Sequence, residues 1–255
     1  MKKLFVILFI LTACKSQLWA QQYLTLGVGF SVSFYRSDDL DHFKETYNLV
    51  NSQNLAALMK GITSAEGLRV EVGYRHLGRF GTAALVGLQR FSGKDLAQYN
   101  NREARRLDLK MNSLYVEYEL GHTWNSFFVN GLVTVFLNRQ LTLESVYSVP
   151  TGEVPKKSLT GTYKSDRSLS ADLGIAVGIF RRPVFLIGKI SYPIFTGGES
   201  SVLQDNSVEK IAEGTDIFPR DYVQFVNDEP YQGVASNIDG LKISLTVAFA
   251  LPLKK

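Results

Sequence analysis

An all-β chain, folded as an eight-stranded antiparallel up-and-down barrel that crosses a membrane, is what the sequence predicts. Three observations predict it. Eight segments alternate apolar with small or polar residues, at the period of two that puts successive side chains on opposite faces of a strand. The connections between them alternate long and short. The apolar faces carry no Asp, Glu, Lys or Arg over their central spans, where a lipid-facing Arg or Lys costs about 2 to 4 kcal/mol.

The chain has 255 residues, a length that β-barrels use as a single unit. Lys2 and Lys3 precede an apolar run from Leu4 to Ala13, interrupted by Thr12 alone, which reads as the charged and apolar regions of a secretory signal. That run is far short of the roughly 20 residues that a spanning helix needs. Two cleavage points compete. "QLWA" at 17 to 20 favours removal of residues 1–20, whereas "LTAC" at 11 to 14 has the form of a lipobox, giving a signal of 1–13 and a lipidated Cys14. Cys14 is the single cysteine, so no disulfide is expected. Removing residues 1–20 takes Lys2, Lys3 and Lys15 from a formal charge of +4 and leaves +1. A pI near 9.0 therefore gives no reason to expect nucleic acid as a partner.

Residues 23–35 (YLTLGVGFSVSFY) place Leu24, Leu26, Val28, Phe30, Val32 and Phe34 against Thr25, Gly27, Gly29, Ser31 and Ser33. The second segment, 68–74, sets Leu68, Val70, Val72 and Tyr74 against Arg69, Glu71 and Gly73. Residues 80–91, 112–121 and 127–139 continue the pattern, with Val86 and Leu88, then Leu114 and Val116, then Val133, Val135 and Leu137 on the apolar faces. The sixth and seventh are 168–180 and 183–192, and the eighth is 240–251. A two-residue turn at Arg181 and Arg182 would pair Ile179 with Val184, Val177 with Leu186 and Leu173 with Ile190, apolar face to apolar face.

Between these segments the connections run long (37–67), short (75–79), long (92–111), short (122–126), long (140–167), very short (181–182) and long (193–239). An even strand number, four long extracellular loops and three short periplasmic turns are the pattern of outer-membrane barrels. A soluble lipid-binding barrel would instead turn its apolar face inward and a charged face to water. The Gly and Ser face of residues 23–35 suits a tight interior, which eight strands leave just wide enough for side chains to fill. Aromatics near the segment ends, Tyr23, Tyr74, Phe80, Trp124, Phe127, Phe180 and Phe249 at one end and Phe34, Tyr35, Phe91 and Tyr192 at the other, read as two interfacial girdles.

Over residues 22–251 this pattern resembles small outer-membrane β-barrel proteins of the OmpA/OmpX type and, more loosely, the outer-membrane β-barrel domain families that include PorT-like secretion accessory proteins. Where such families end on an aromatic, Phe249 here is followed by ALPLKK. The resemblance implies an outer-membrane location in a Gram-negative envelope, with periplasmic termini and residues 252–255 as a periplasmic tail.

The inward positions collect Arg69, Glu71, Glu117, Glu119, Asp172, Lys189 and Lys242. Opposite charges there are expected to pair into a lumen network, with Lys189 facing Gly174 and diagonal to Asp172, and Lys242 beside them. A narrow ion path is the functional alternative. No cofactor, metal site or catalytic centre is expected. Of three histidines, His76 and His122 are placed in the short turns, leaving His42 in "SDDLDHF", where Asp residues suit a helix start.

Residues 194–239 hold nine acids and two bases, and 37–66 hold five acids and two bases, whereas 92–108 and 145–167 are weakly basic. Closing the barrel would bring the two acidic loops together, a surface for an envelope protein partner or for divalent cations. The functional expectation is a structural or interaction role at the cell surface without catalysis. The alternatives are an accessory component of a secretion or surface-assembly complex, a small pore, and a soluble secreted lipid-binding barrel.

Overall fold

The computed structural model describes residues 21–34, 38–150, 160–164, 168–196, 204–205 and 240–253. The expected signal with Cys14, most of loop 194–239, Tyr35 and the end of the tail lie outside the described residues.

Eight antiparallel strands form the wall: β1 (Gln21–Phe34), β2 (Ser64–Leu77), β3 (Phe80–Tyr99), β4 (Ala104–Trp124), β5 (Phe127–Ser148), β6 (Ser168–Arg181), β7 (Val184–Thr196) and β8 (Lys242–Pro252). Each pairs with its neighbour in sequence. β1 also pairs with β8, Val28 opposite Val247 and Phe30 opposite Leu245, so the sheet closes on itself and leaves no open edge within the wall. Three of the connections are two-residue turns, at Gly78–Arg79, Asn125–Ser126 and Arg182–Pro183. Asn125 takes a φ of 53°, a left-handed conformation that asparagine adopts more readily than most residues.

The third turn corrects the predicted register. It falls at Arg182 and Pro183, so Ile179 pairs with Leu186, Val177 with Gly188 and Leu173 with Tyr192. The shift is two residues, which conserves the faces but changes every partner. Lys189 consequently faces Ala176, and Asp172 faces Pro193.

The apolar face points outward. Val28 and Leu245 are each 55% exposed, and Leu26, Val72, Val86, Leu120, Ile175 and Ile190 are exposed with them. Thr25, Ser31, Glu71, Glu117, Asn130, Asp172 and Lys189 point inward and are buried. On β1 the outward series from Leu24 to Phe34 covers ten rises of about 3.4 Å. Tilted by about 40°, that is roughly 26 Å of height, which matches the apolar band of a membrane-spanning barrel. The architecture is that of a small outer-membrane barrel, inverted relative to a soluble lipid carrier.

Strand parity also sorts the aromatics. Tyr74, Phe80, Trp124, Phe127, Phe249, Phe34 and Tyr192 face outward, as a girdle requires, but Tyr23, Phe180 and Phe91 are buried inside. Tyr23 shares the inward face of Thr25, Phe180 that of Ala176 and Phe91 that of Gln89, so counting two residues along each strand separates them.

The predicted long loop at 92–111 is mostly strand. β3 and β4 continue as a hairpin to a tight turn at 100–103, with β5 alongside. Helix α1 (Asp38–Val50) forms in the first loop, beginning at the Asp cluster that suggested it, and His42 lies within it. Its Tyr47 packs with Met59, Ala97, Leu107, Leu109, Met111, Leu141 and Leu143 on the inner face of the extended sheet. Along β3, β4 and β5 the apolar face thus changes sides, outward at Leu88 and Leu114 and inward at Phe91, Leu109 and Leu141. The change occurs at one hydrogen-bonded row, Arg90–Asn112–Gln140. On β5 it is made by a bulge at 136–139, which gives Leu137 and Asn138 adjacent non-inward positions and shifts the alternation by one. Asn138, which simple alternation past Leu137 puts on the inward face, is turned out of the lumen by this bulge.

Candidate functional site: the charged lumen

The lumen is built in tiers because small residues on some strands leave room for large ones on others. A Cβ on Gly87 would lie 2.4 Å from the Tyr115 hydroxyl, and one on Gly178 would lie 2.2 Å from the Phe128 ring. Glycine at these two inward positions is what admits the two rings.

At the turn end, Tyr23, Leu77, Phe128, Leu132, Phe180, Phe185 and Ile187 pack with Ala176, Ala248 and Ala250 into an apolar plug. The Phe180 and Phe185 rings stack at 4.3 Å, and Tyr23 meets Phe180 edge-on at 4.9 Å. Above this plug stand the charges. Arg75 grips Glu119 with two parallel bonds of 2.6 and 2.9 Å, the fork geometry that suits guanidinium to carboxylate. The Arg75 guanidinium lies 5.0 Å over Phe128, so it also seats the charged tier on the aromatic plug. Asn130 donates to Glu119 at 3.0 Å.

Lys189 sits at the centre. Its Nζ reaches Glu117 at 2.5 Å, Glu71 at 3.1 Å and Glu119 at 3.4 Å. Arg69 closes the cluster, donating to Glu71 at 2.6 Å, to the Tyr115 hydroxyl at 2.7 Å and to Glu117 at 3.3 Å. Thr134 donates to Glu117 at 2.8 Å, and Tyr115 to Glu71 at 3.1 Å. Asp172 and Lys242 form a separate pair at 2.6 Å, with the Lys242 ammonium 4.6 Å from the centre of the Phe136 ring.

All seven sequence-predicted residues are therefore buried in the lumen, but in two groups. Arg69, Glu71, Glu117, Glu119 and Lys189 share one cluster, and Asp172 with Lys242 forms the other. The expected approach of Lys189 to Asp172 is corrected, because the two-residue register shift carries Lys189 toward the β2 and β4 acids. Arg75, Tyr115, Asn130 and Thr134 were missed as members. Arg75 carried a signal, since it continues the inward series Arg69, Glu71, Gly73 by one more step. With it, four cations balance four carboxylates, which is the condition under which a low-dielectric interior holds charge.

A cavity of about 20 Å³ between the groups is lined by Ser31, Gln89, Asp172 and Lys242 among others. That is room for about one water molecule. A salt-bridged tier thus stands above an aromatic plug inside the ring. Above it, the α1 platform is tied down by its own polar contacts. Asn48 exchanges two bonds of 2.9 Å with the backbone of Met59, and Asp95 accepts from the amides of Lys60 at 3.2 Å and Gly61 at 2.9 Å. Tyr47 hydrogen-bonds Tyr99, and Arg105 donates to the Tyr47 hydroxyl at 3.2 Å. Burial and the bond to Tyr99 push the Tyr47 phenol well above the usual tyrosine range.

His76 and His122 lie on strand ends rather than in turns, in β2 and β4. The His122 ring is 4.5 Å from that of Trp124, as part of the outer aromatic belt. Among the described residues, no three of His, Cys, Asp and Glu are grouped to hold a metal ion.

No protein-family model matches the chain, and no curated protein matches it. Among solved structures, it is similar to Ail, the attachment invasion locus protein of Yersinia pestis, crystallised with the heparin analogue sucrose octasulfate. The identity is 9% over 91% of this chain and 99% of that one, at a TM-score of 0.41. It is also similar to the outer-membrane protease OmpT of Escherichia coli, with 9% identity over 92% of this chain and 96% of that one, at a TM-score of 0.42.

Proposed function

We propose that this chain is an integral outer-membrane β-barrel with a filled lumen, serving a structural or interaction role at the cell surface and carrying no catalytic centre. The observation that carries the reading is the change of apolar face along β3, β4 and β5 at Arg90–Asn112–Gln140. Below that row the exposed side is apolar, as lipid requires. Above it the outward side carries Lys94, Arg106 and Lys110, with Asp108 buried beneath its ion pairs to Arg106 and Lys94, and the apolar side is covered by α1. A strand immersed in one solvent throughout gains nothing from such a reversal. A strand that leaves hydrocarbon for water needs it.

The turn end, with both chain ends of the barrel beside it, faces the periplasm in this reading, and the α1 platform faces outward. In this reading the lumen residues Arg69, Arg75, Glu71, Glu117, Glu119 and Lys189 act as a rigid filling rather than a conduit, supported by their mutual ion pairs and by the small size of the cavity beside them, about 20 Å³. The acidic loops 37–66 and 194–239 are the proposed contact surface for an envelope partner, which would make the chain an accessory component of a surface-assembly complex. Pull-down from detergent-solubilised outer membrane tests this. A stoichiometric partner lost on deleting residues 200–230 supports the accessory role, and retention of every partner in that deletion contradicts it. Planar-bilayer recordings test the filling: a large, steady conductance would replace this reading with that of a pore.

A further inference from the structure

Just below the Arg90–Asn112–Gln140 row, the outer surface of β2, β3 and β4 is indented. The groove has a volume of about 410 Å³; Leu68, Val70, Leu88 and Leu114 form its floor, and Arg90 and Asn112 its upper rim. Leu68 and Leu88 are each 62% exposed, so the floor opens outward and is not part of the core. Arg90 is exposed, and among the described residues its guanidinium has no hydrogen bond or ion pair. The neighbouring outward cations do have partners: Lys110 pairs with Glu144 at 2.9 Å, and Arg106 with Asp108 at 2.7 Å. Arg90 is thus the cation left over in this patch, and it stands directly above an apolar slot.

We propose that this groove binds a lipid bearing a phosphorylated headgroup, with the phosphate on the Arg90 guanidinium and the upper part of an acyl chain along Leu68, Leu88 and Leu114. The proposal rests on the transmembrane reading, which sets the row at headgroup height. The guanidinium offers a planar fork of donors suited to a phosphate. Asn112, directly across from Arg90, adds a neutral donor. Lys110, diagonal to Arg90 on β4, lies within long-side-chain reach of the same oxygens. The acid closest to Arg90 on β2 is Glu66, one outward position above Leu68, which faces Arg90. It opposes an anionic headgroup and sets a limit on affinity.

The test reconstitutes the full barrel in phosphatidylcholine vesicles containing a minor fraction of phosphatidic acid, and counts retained lipids by native mass spectrometry after gentle detergent release. The wild type is expected to retain one phosphatidic acid in preference to phosphatidylcholine. Since one interfacial cation near anionic lipid is worth about 1 kcal/mol, Arg90→Gln is expected to weaken retention about fivefold. Glu66→Gln is expected to strengthen it, and Arg181→Gln, an exposed cation at the opposite end, to leave it unchanged. Excess inorganic phosphate should not displace the lipid, because the chain contacts are part of the site. Equal retention of both lipids, equal retention by Arg90→Gln, or displacement by phosphate alone would overturn the proposal. A barrel that inserts but shows no preference defeats the headgroup site only. A protein that does not insert at all defeats the transmembrane reading, and this proposal with it.

Discussion

Lys189 faces three carboxylates, Glu71, Glu117 and Glu119. Removing it leaves the acids with only the two arginines, in an interior that cannot hydrate the surplus. Breaking a buried ion pair from one side costs about 3 to 5 kcal/mol. Lys189→Met is therefore expected to lower the midpoint of urea unfolding in detergent by a margin of that size, and an unchanged midpoint would show that the lumen is wet. The Asp172–Lys242 pair allows a sharper comparison, because it stands apart from the larger cluster. Lys242→Met alone should destabilise, whereas adding Asp172→Leu should recover most of the loss, since a matched apolar replacement is often neutral. These residues were legible in the sequence because parity alone puts them inside. Their grouping was not legible, since it depends on which residue of β6 faces which residue of β7, and apolar alternation is equally satisfied by registers two residues apart.

At the level of the element, the bulge in β5 explains a misreading and makes a prediction. Simple alternation carried past Leu137 assigns Asn138 to the lumen. The bulge instead keeps Arg139, Leu141 and Leu143 inward, as the platform core requires. Deleting Leu137 removes the extra residue while leaving every flanking side chain on its observed face, so the barrel is expected to fold and to keep its heat-modifiable migration on a gel. Deleting Val135 takes up the same extra residue but turns Phe136 outward and Leu137 into the lumen, with the observed faces restored from Asn138 onward, and is expected to weaken that migration. The hairpin at 92–111 was hidden for a related reason. Its charged residues resemble a loop, yet Leu107, Leu109 and Met111 alternate with Arg106, Asp108 and Lys110, a strand pattern with its apolar face turned inward. Helix α1 covers that face, and Asn48 anchors it to Met59. Asn48→Ala leaves the Met59 amide and carbonyl without these bonds, costing about 1 to 3 kcal/mol locally. Faster proteolysis within 51–63 at unchanged barrel heat-stability is the expected result. The raised Tyr47 phenol adds a pH dependence. Its contribution to docking is fully present below the ordinary tyrosine pKa and is lost as pH rises through the higher folded value, so α1 release is expected only in strong alkali, as followed by proteolysis across that range.

For the molecule as a whole, the closed ring of eight strands was legible because strand periodicity, the short turns and charge-free outer faces all pointed the same way. The height of the wall was not. It depends on where the apolar face changes sides, and that change is visible only when three strands are aligned in register. The central claim is that the outer face from Leu24 to Phe34 on β1, and its counterparts around the ring, meets hydrocarbon while Gly27, Gly29 and Ser31 face a packed interior. Cysteine substitution tests it most directly, in a chain whose own cysteine, Cys14, is replaced by serine. Probes attached singly at Leu26, Val28, Phe30, Val86 and Val247, in barrels refolded into vesicles, are expected to be quenched by a lipid-soluble quencher and untouched by a water-soluble one, whereas a probe at Lys94 should show the reverse. Quenching of the five band positions by the aqueous reagent would contradict the account.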